Sequence, residues 1–146
     1  MLMRHFAPTG HETSRLGFGG AAMGLTNYIR PYDAAASRDA SVAAVRRALE
    51  LGVTYCDTAP GYGKGLSEEI MGDALADHPE VFLASKVPLA DAADVRRSLE
   101  NSLKRLRRSQ LDLLQIHGNS FGTETVRGTS APAACWNRWC GYARKA

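Results

Sequence analysis

The sequence predicts an α/β fold in which a parallel sheet is covered by helices. Three observations carry this. VTYC at 53–56, VFLASKV at 81–87 and LDLLQI at 111–116 are short apolar runs of strand length. The segments between them place apolar residues at helical spacing. Strands and helices therefore alternate along the chain, the order produced by strand–helix–strand crossovers.

The elements follow in sequence. Met1 to Phe6 alternates loosely and meets a turn signal at Pro8, Thr9 and Gly10. Thr13 to Phe18 forms the returning arm of a small hairpin and leads into a first inner strand, LGFGG at 16–20. The small residues Gly19, Gly20, Ala21 and Ala22 leave room for close approach to the backbone, or else pack tightly there. Asn27 to Ala36 holds Pro31, lacks a period and reads as a loop. Ser37 or Asp39 can cap the next helix, which carries Val42, Val45, Ala48 and Leu49 on one face and stops at Gly52. Ser67 can cap a second helix, with Glu68 and Glu69 at its positive end and Ile70, Met71, Ala74 and Leu75 on one face. Asp91 starts a third helix striped with Val95, Leu99, Leu103 and Leu106.

The 146 residues suit one domain of ordinary size, and 45% hydrophobic with 23% charged residues is typical of a soluble globular protein. The net charge of +3 is mild and does not indicate nucleic acid. The first residues lack an apolar signal core, and no run is long enough to span a membrane. With three cysteines, an odd number, the expected setting is the reducing cytoplasm. Cys135 and Cys140 lack a nearby histidine or second cysteine pair, so no metal site is expected. The basic run Lys104, Arg105, Arg107 and Arg108 reads as the solvated last turn of an outer helix, favourable to its dipole.

Right-handed crossovers bring the carboxyl ends of consecutive strands to one edge. Asp57, Lys86 and His117 each end a predicted strand, so all three belong on that edge. Tyr62 hangs in the loop forced by Pro60 and Gly61 just after Asp57. Taken singly, Asp57 can cap its own loop, Tyr62 can be a surface residue, Lys86 can snorkel and His117 can be a satisfied strand-end histidine. Their convergence from three strands and a loop points to chemistry. A phenol is a weak acid at neutral pH unless a nearby cation stabilises the phenolate. Lys86 is the candidate cation, with Asp57 to hold it and His117 to polarise the reacting oxygen. Such a set protonates a carbonyl oxygen as hydride reaches its carbon. None of the four donates hydride, so a nicotinamide is required.

GVTYCDTAPGYGKGLSEEIMG at 52–72 resembles the signature segment of the aldo-keto reductase family. LGFGGAAMG resembles that family's first-strand region, and LASKV and LDLLQIHGN its third and fourth strands. The likeness runs from about Arg4 to Arg127, with the family's Asp, Tyr, Lys and His matched in order by Asp57, Tyr62, Lys86 and His117. It implies the N-terminal part of a (β/α)8 TIM barrel, about four βα units after a hairpin. It also implies NADP(H) at the carboxyl face, with Gly20, Ala21, Asp57 and Asn119 as cofactor contacts. The activity implied is reduction of aldehyde or ketone carbonyls, or the reverse, and YGKGLSE is most similar to members acting on sugars.

A complete barrel of this kind takes about 250 residues. From about Gly128 the period is lost and both tryptophans appear, so 128–146 reads as an irregular, non-native tail on a truncated half-barrel with little activity of its own. Its open edges favour self-association. Two alternatives stand beside the reductase: a lyase forming a Schiff base on Lys86, and a binding or regulatory module without catalysis, as in the family's potassium-channel β-subunits.

Overall fold

The computed structural model describes residues 1–6, 10–26, 28, 33 and 36–118. Strands β1 (Met3–Phe6) and β2 (His11–Ser14) form an antiparallel hairpin pairing Met3 with Ser14 and Phe6 with His11. Strands β3 (Phe18–Gly19), β4 (Tyr55–Asp57), β5 (Phe82–Pro88) and β6 (Leu113–His117) form a parallel sheet in the order β3-β4-β5-β6. Helices α1 (Ala21–Gly24) and α2 (Arg38–Glu50) lie between β3 and β4, α3 (Leu66–Ala74) between β4 and β5, and α4 (Ala92–Leu106) between β5 and β6.

The hydrophobic core lies between the sheet and its helices. Cys56 and Leu83 from the sheet meet Val45, Ile70, Met71, Leu75 and Leu106 from the helices. The alternate residues Tyr55 and Phe82 sit on the other face, where their rings stack at 5.4 Å between centroids. Phe6 of the hairpin packs 5.0 Å from Phe82. Ser14 and Thr54 exchange two hydrogen bonds of 2.9 Å, each backbone N–H donating to the other's hydroxyl. The hairpin is thus fastened near the amino ends of β4 and β5, and it leaves their carboxyl ends uncovered.

Several local expectations are corrected. The returning hairpin arm is two strands, β2 and β3: the Arg15 N–H still donates to the Leu2 carbonyl at 2.9 Å, and Leu16 and Gly17 then leave the ladder. The short helix α1 occupies the stretch of small residues after β3. Ser37 is the N-cap of α2 but its side chain makes no capping bond. Ser67 is not the cap of α3; Gly65 is, at φ +100°, and Ser67 lies inside the helix. Asp91 does cap α4, accepting from the N–H groups of Ala93 at 3.0 Å and Asp94 at 2.9 Å. Leu99 and Leu103 of the α4 stripe are only half-buried. The expected tail at 128–146 lies outside the described residues.

The basic run is not simply solvated. Arg105 Nε donates to Glu68 Oε2 at 2.7 Å, and Arg107 pairs with Asp73 at 2.7 Å. Arg108 donates to the carbonyls of His78 at 2.6 Å and Pro79 at 3.1 Å, beyond the end of α3. Glu68 is fully buried, and its other oxygen accepts from Ser85 Oγ at 2.7 Å. One carboxylate therefore ties α3 to β5 and α4. Breaking a buried pair strands a charge, whereas an exposed pair contributes little. Glu68→Ala is expected to cost about 3 kcal/mol in denaturant unfolding, the low end for a buried pair because Arg105 keeps some exposure. Glu50→Ala, which removes the exposed pair with Arg47, is expected to cost less than about 0.5 kcal/mol.

Candidate active site

Parallel register decides which residues can meet. Asp57 pairs with Ala84 between β4 and β5, and Lys86, two residues further along β5, points to the same side as Ala84. Lys86 therefore reaches back over the end of β4. Its Nζ donates to Asp57 Oδ1 at 2.5 Å and to the Thr58 carbonyl at 2.8 Å. The Lys86 side chain is 13% exposed and that of Asp57 26%. A cation this buried needs a charged partner and further acceptors, and Asp57 and the Thr58 carbonyl supply one of each. His117 ends β6, paired with Pro88 at the end of β5.

Tyr62 stands over this edge. Lys86 Nζ lies 5.0 Å from the centre of its ring. The His117 ring meets the Tyr62 ring edge-on, with centroids 5.5 Å apart and planes at 87°. The structure brings Asp57, Tyr62, Lys86 and His117 together at one end of the sheet.

The loop that holds Tyr62 is built from glycines. Gly63, Lys64 and Gly65 all take positive φ, at 67°, 55° and 100°. Glycine adopts this region freely, and Lys64 does so against its preference. Gly63 also lies against Gly24: a Cβ on Gly63 would fall 2.5 Å from the Gly24 carbonyl oxygen, and one on Gly24 would fall 2.3 Å from that of Tyr62. The backbone of Tyr62 is thus pressed against the end of α1, a contact the sequence signals only as GYGKG and AAMG.

The expected cofactor positions divide. Gly20 is buried, with its N–H donating to the Asp57 carbonyl at 2.7 Å and its carbonyl accepting from Ser67 Oγ at 2.8 Å. A Cβ there would fall 2.4 Å from Ser67 Oγ, so tight packing requires glycine. Ala21 opens α1 and is half-buried. Asn119 lies outside the described residues. The Tyr55 and Asp57 side of the sheet faces a cavity of about 370 Å³, also lined by Phe6, Arg15 and Phe18. Two residues that sequence reasoning missed are Thr58 and Ser67, both fully buried, whose hydroxyls lie 2.9 Å apart. A threonine following the strand-end aspartate was the available signal. Ser67 was hidden because a serine there reads as a helix cap.

The family model for the aldo/keto reductase family matches residues 15–132. The chain belongs to that family. Aldo-keto reductase YhdN of Bacillus subtilis is 39% identical over 124 residues, covering 76% of this chain and 36% of the relative. L-galactose dehydrogenase of Arabidopsis thaliana is 33% identical over 138 residues, covering 83% of this chain and 39% of the relative. Among solved structures, an aldo-keto reductase from Klebsiella pneumoniae in complex with NADPH superposes with a TM-score of 0.68 at 31% identity, covering 92% of this chain and 46% of that one. The chain thus spans less than half the length of each, and its sheet and helices are part of a (β/α)8 barrel.

Cys56, next to Asp57 in sequence, faces the helices and is fully buried. Burial pushes its thiol up to about 12, with the Arg108 charge acting in the opposite direction. At pH 8 it therefore remains a protonated, inaccessible thiol. Iodoacetamide is expected to leave Cys56 unmodified in the native chain and to label it after unfolding, as read by peptide mass mapping that separates it from Cys135 and Cys140.

Proposed function

We propose that this chain carries the proton-handling half of an NADP(H)-dependent oxidoreductase that interconverts carbonyls and alcohols. The observation that carries the reading is the Lys86 ammonium, 2.5 Å from Asp57 Oδ1 and 5.0 Å from the Tyr62 ring centre. Tyr62 donates the proton to the carbonyl oxygen. Lys86 stabilises the phenolate that remains, and Asp57 keeps Lys86 in place. His117 donates a hydrogen bond to the same oxygen and orients it. In alcohol oxidation the Tyr62 phenolate takes the proton back.

The donor set fits a nicotinamide: it provides a proton and compensating charge and has no hydride of its own. NADPH supplies the hydride when bound. Ala21, Asp57 and Asn119 are the positions to hold it. Gly20 would meet it as a surface, since both of its backbone polar groups are engaged within the chain. Sugars or related small carbonyls are the substrate class, a choice supported by YGKGLSE and by the relative named as an L-galactose dehydrogenase.

A Schiff-base lyase is disfavoured because Lys86 Nζ is engaged by Asp57 Oδ1 at 2.5 Å and the Thr58 carbonyl at 2.8 Å, contacts that a nucleophilic amine would have to give up to attack a carbonyl. Among the described residues no helix is long and apolar enough to cross a membrane. A cytoplasmic setting accords with the free Cys56 thiol. Among those residues the parallel sheet ends on β3 and β6. Exposed Leu16 and Ile116 lie near those edges, so self-association of these 146 residues belongs to the same reading.

The 146 residues by themselves are expected to bind NADPH weakly and to turn over slowly with a panel of aldehydes and aldoses. Any measurable reduction should fall about 10²–10⁴-fold in Tyr62→Phe, the usual contribution of a general acid. Activity that survives Tyr62→Phe would overturn the assignment of the acid. Borohydride trapping of a carbonyl compound on Lys86 would favour the lyase.

A further inference from the structure

We propose that Thr58 and Ser67 form a hydroxyl latch that positions Lys86 and Tyr62. It rests on the reading of those two residues as the acid pair, though its test does not. Both latch residues are fully buried, and neither touches the reacting groups with its side chain. Ser67 has one hydroxyl proton, and the Gly20 carbonyl 2.8 Å away can only accept, so the proton goes there. Ser67 Oγ must then accept from Thr58 Oγ1 at 2.9 Å. The direction of the chain is fixed: Thr58 donates to Ser67, and Ser67 donates to Gly20.

Each end of the chain holds a piece of the site. The Thr58 carbonyl is the second acceptor of Lys86 Nζ, at 2.8 Å. The Ser67 N–H donates to the carbonyl of Tyr62 at 3.2 Å. Gly20 N–H donates to the carbonyl of Asp57, the residue that bears the carboxylate partner of Lys86. One serine on the second residue of α3 therefore fastens the end of β3, the loop after β4 and the backbone of Tyr62. The Gly20 carbonyl also accepts from the Met23 N–H at 3.1 Å, and the Thr58 N–H donates to the Ala84 carbonyl at 3.0 Å. The hydroxyls therefore add a tie between elements, joining the end of β3 to the loop after β4 and to α3.

The latch makes Thr58 and Ser67 positioning residues, and it predicts an effect on Lys86 out of proportion to the effect on the fold. The test is competitive acetylation of the native chain with acetic anhydride, reading the rate at Lys86 against exposed Lys64 and Lys104 by peptide mass spectrometry. Thr58→Val keeps the shape and deletes the donor; it is expected to raise Lys86 labelling about 2- to 10-fold relative to Lys64 and Lys104, the ratio matching one net hydrogen bond. Thr58→Ser keeps the hydroxyl and should restore the unmodified rate. Asp57→Asn sets the response of a freed Lys86. Ser67→Ala serves the same purpose as Thr58→Val if the latter does not fold. Unchanged Lys86 labelling in Thr58→Val or Ser67→Ala, or a rise shared equally by Lys64 and Lys104, would overturn the latch. Loss of the reductase reading through active Tyr62→Phe would leave this labelling result standing.

Discussion

The structure turns on one ion pair between adjacent parallel strands. A lysine two residues from the end of β5 that is 13% exposed needs a partner, and Asp57 at the end of β4 is the acceptor at 2.5 Å. The pair is possible because the strands are parallel and in register, so that both side chains leave the sheet on the same side at the same end. A slip of one residue would send Lys86 to the helix side, among Leu83 and Val87, and an antiparallel neighbour would carry Asp57 to the opposite end of the sheet. Hydrophobic packing on the helix side and the charge pair on the other face thus impose the same register, and each makes the other's misplacement costly.

Around that pair several backbone groups past the strand ends find partners within the chain. Thr58 N–H donates to the Ala84 carbonyl at 3.0 Å while its own carbonyl receives Lys86. The Tyr62 N–H donates to the Ala59 carbonyl at 3.1 Å. A loop that crosses a sheet end between buried helices would otherwise leave several donors and acceptors unpaired, each costing about 1–3 kcal/mol. The glycines at 20, 24 and 63 serve the same end by letting backbone approach backbone or hydroxyl more closely than any Cβ would permit.

The sequence disclosed the sheet and the strand-end residues because both depend on period and order. Val81 to Val87 is unbroken and apolar, Val42 and Val45 keep helical spacing, and crossovers have one hand. It concealed what depends on three-dimensional neighbours. Glu68 carries the appearance of a first-turn helix acid, and only the fold shows that α4 brings Arg105 against it. Ser67 looks like a cap because Gly65, which does cap the helix, gives no side-chain signal. Arg108 reads as surface charge until the carbonyls beyond α3 are seen beneath it. In each case a side chain satisfied by a distant partner was mistaken for one satisfied by its own helix or by water.

The four polar residues of the site lie within 57–117, on three adjacent strands and one loop, with the end of β3 and α1 packed against the loop that carries Tyr62. Holding two reactants together is a different task. Orientation can supply about 7–11 kcal/mol of a barrier only when both partners are fixed in near-attack geometry. That requires walls on more than one side of the reacting carbon, and in the NADPH-bound relative the matched region is 46% of the chain. On the proposed reading, proton transfer, which needs a few groups within hydrogen-bond reach, is the part that this stretch encodes locally. Hydride transfer, which needs enclosure, makes demands on the rest of a barrel.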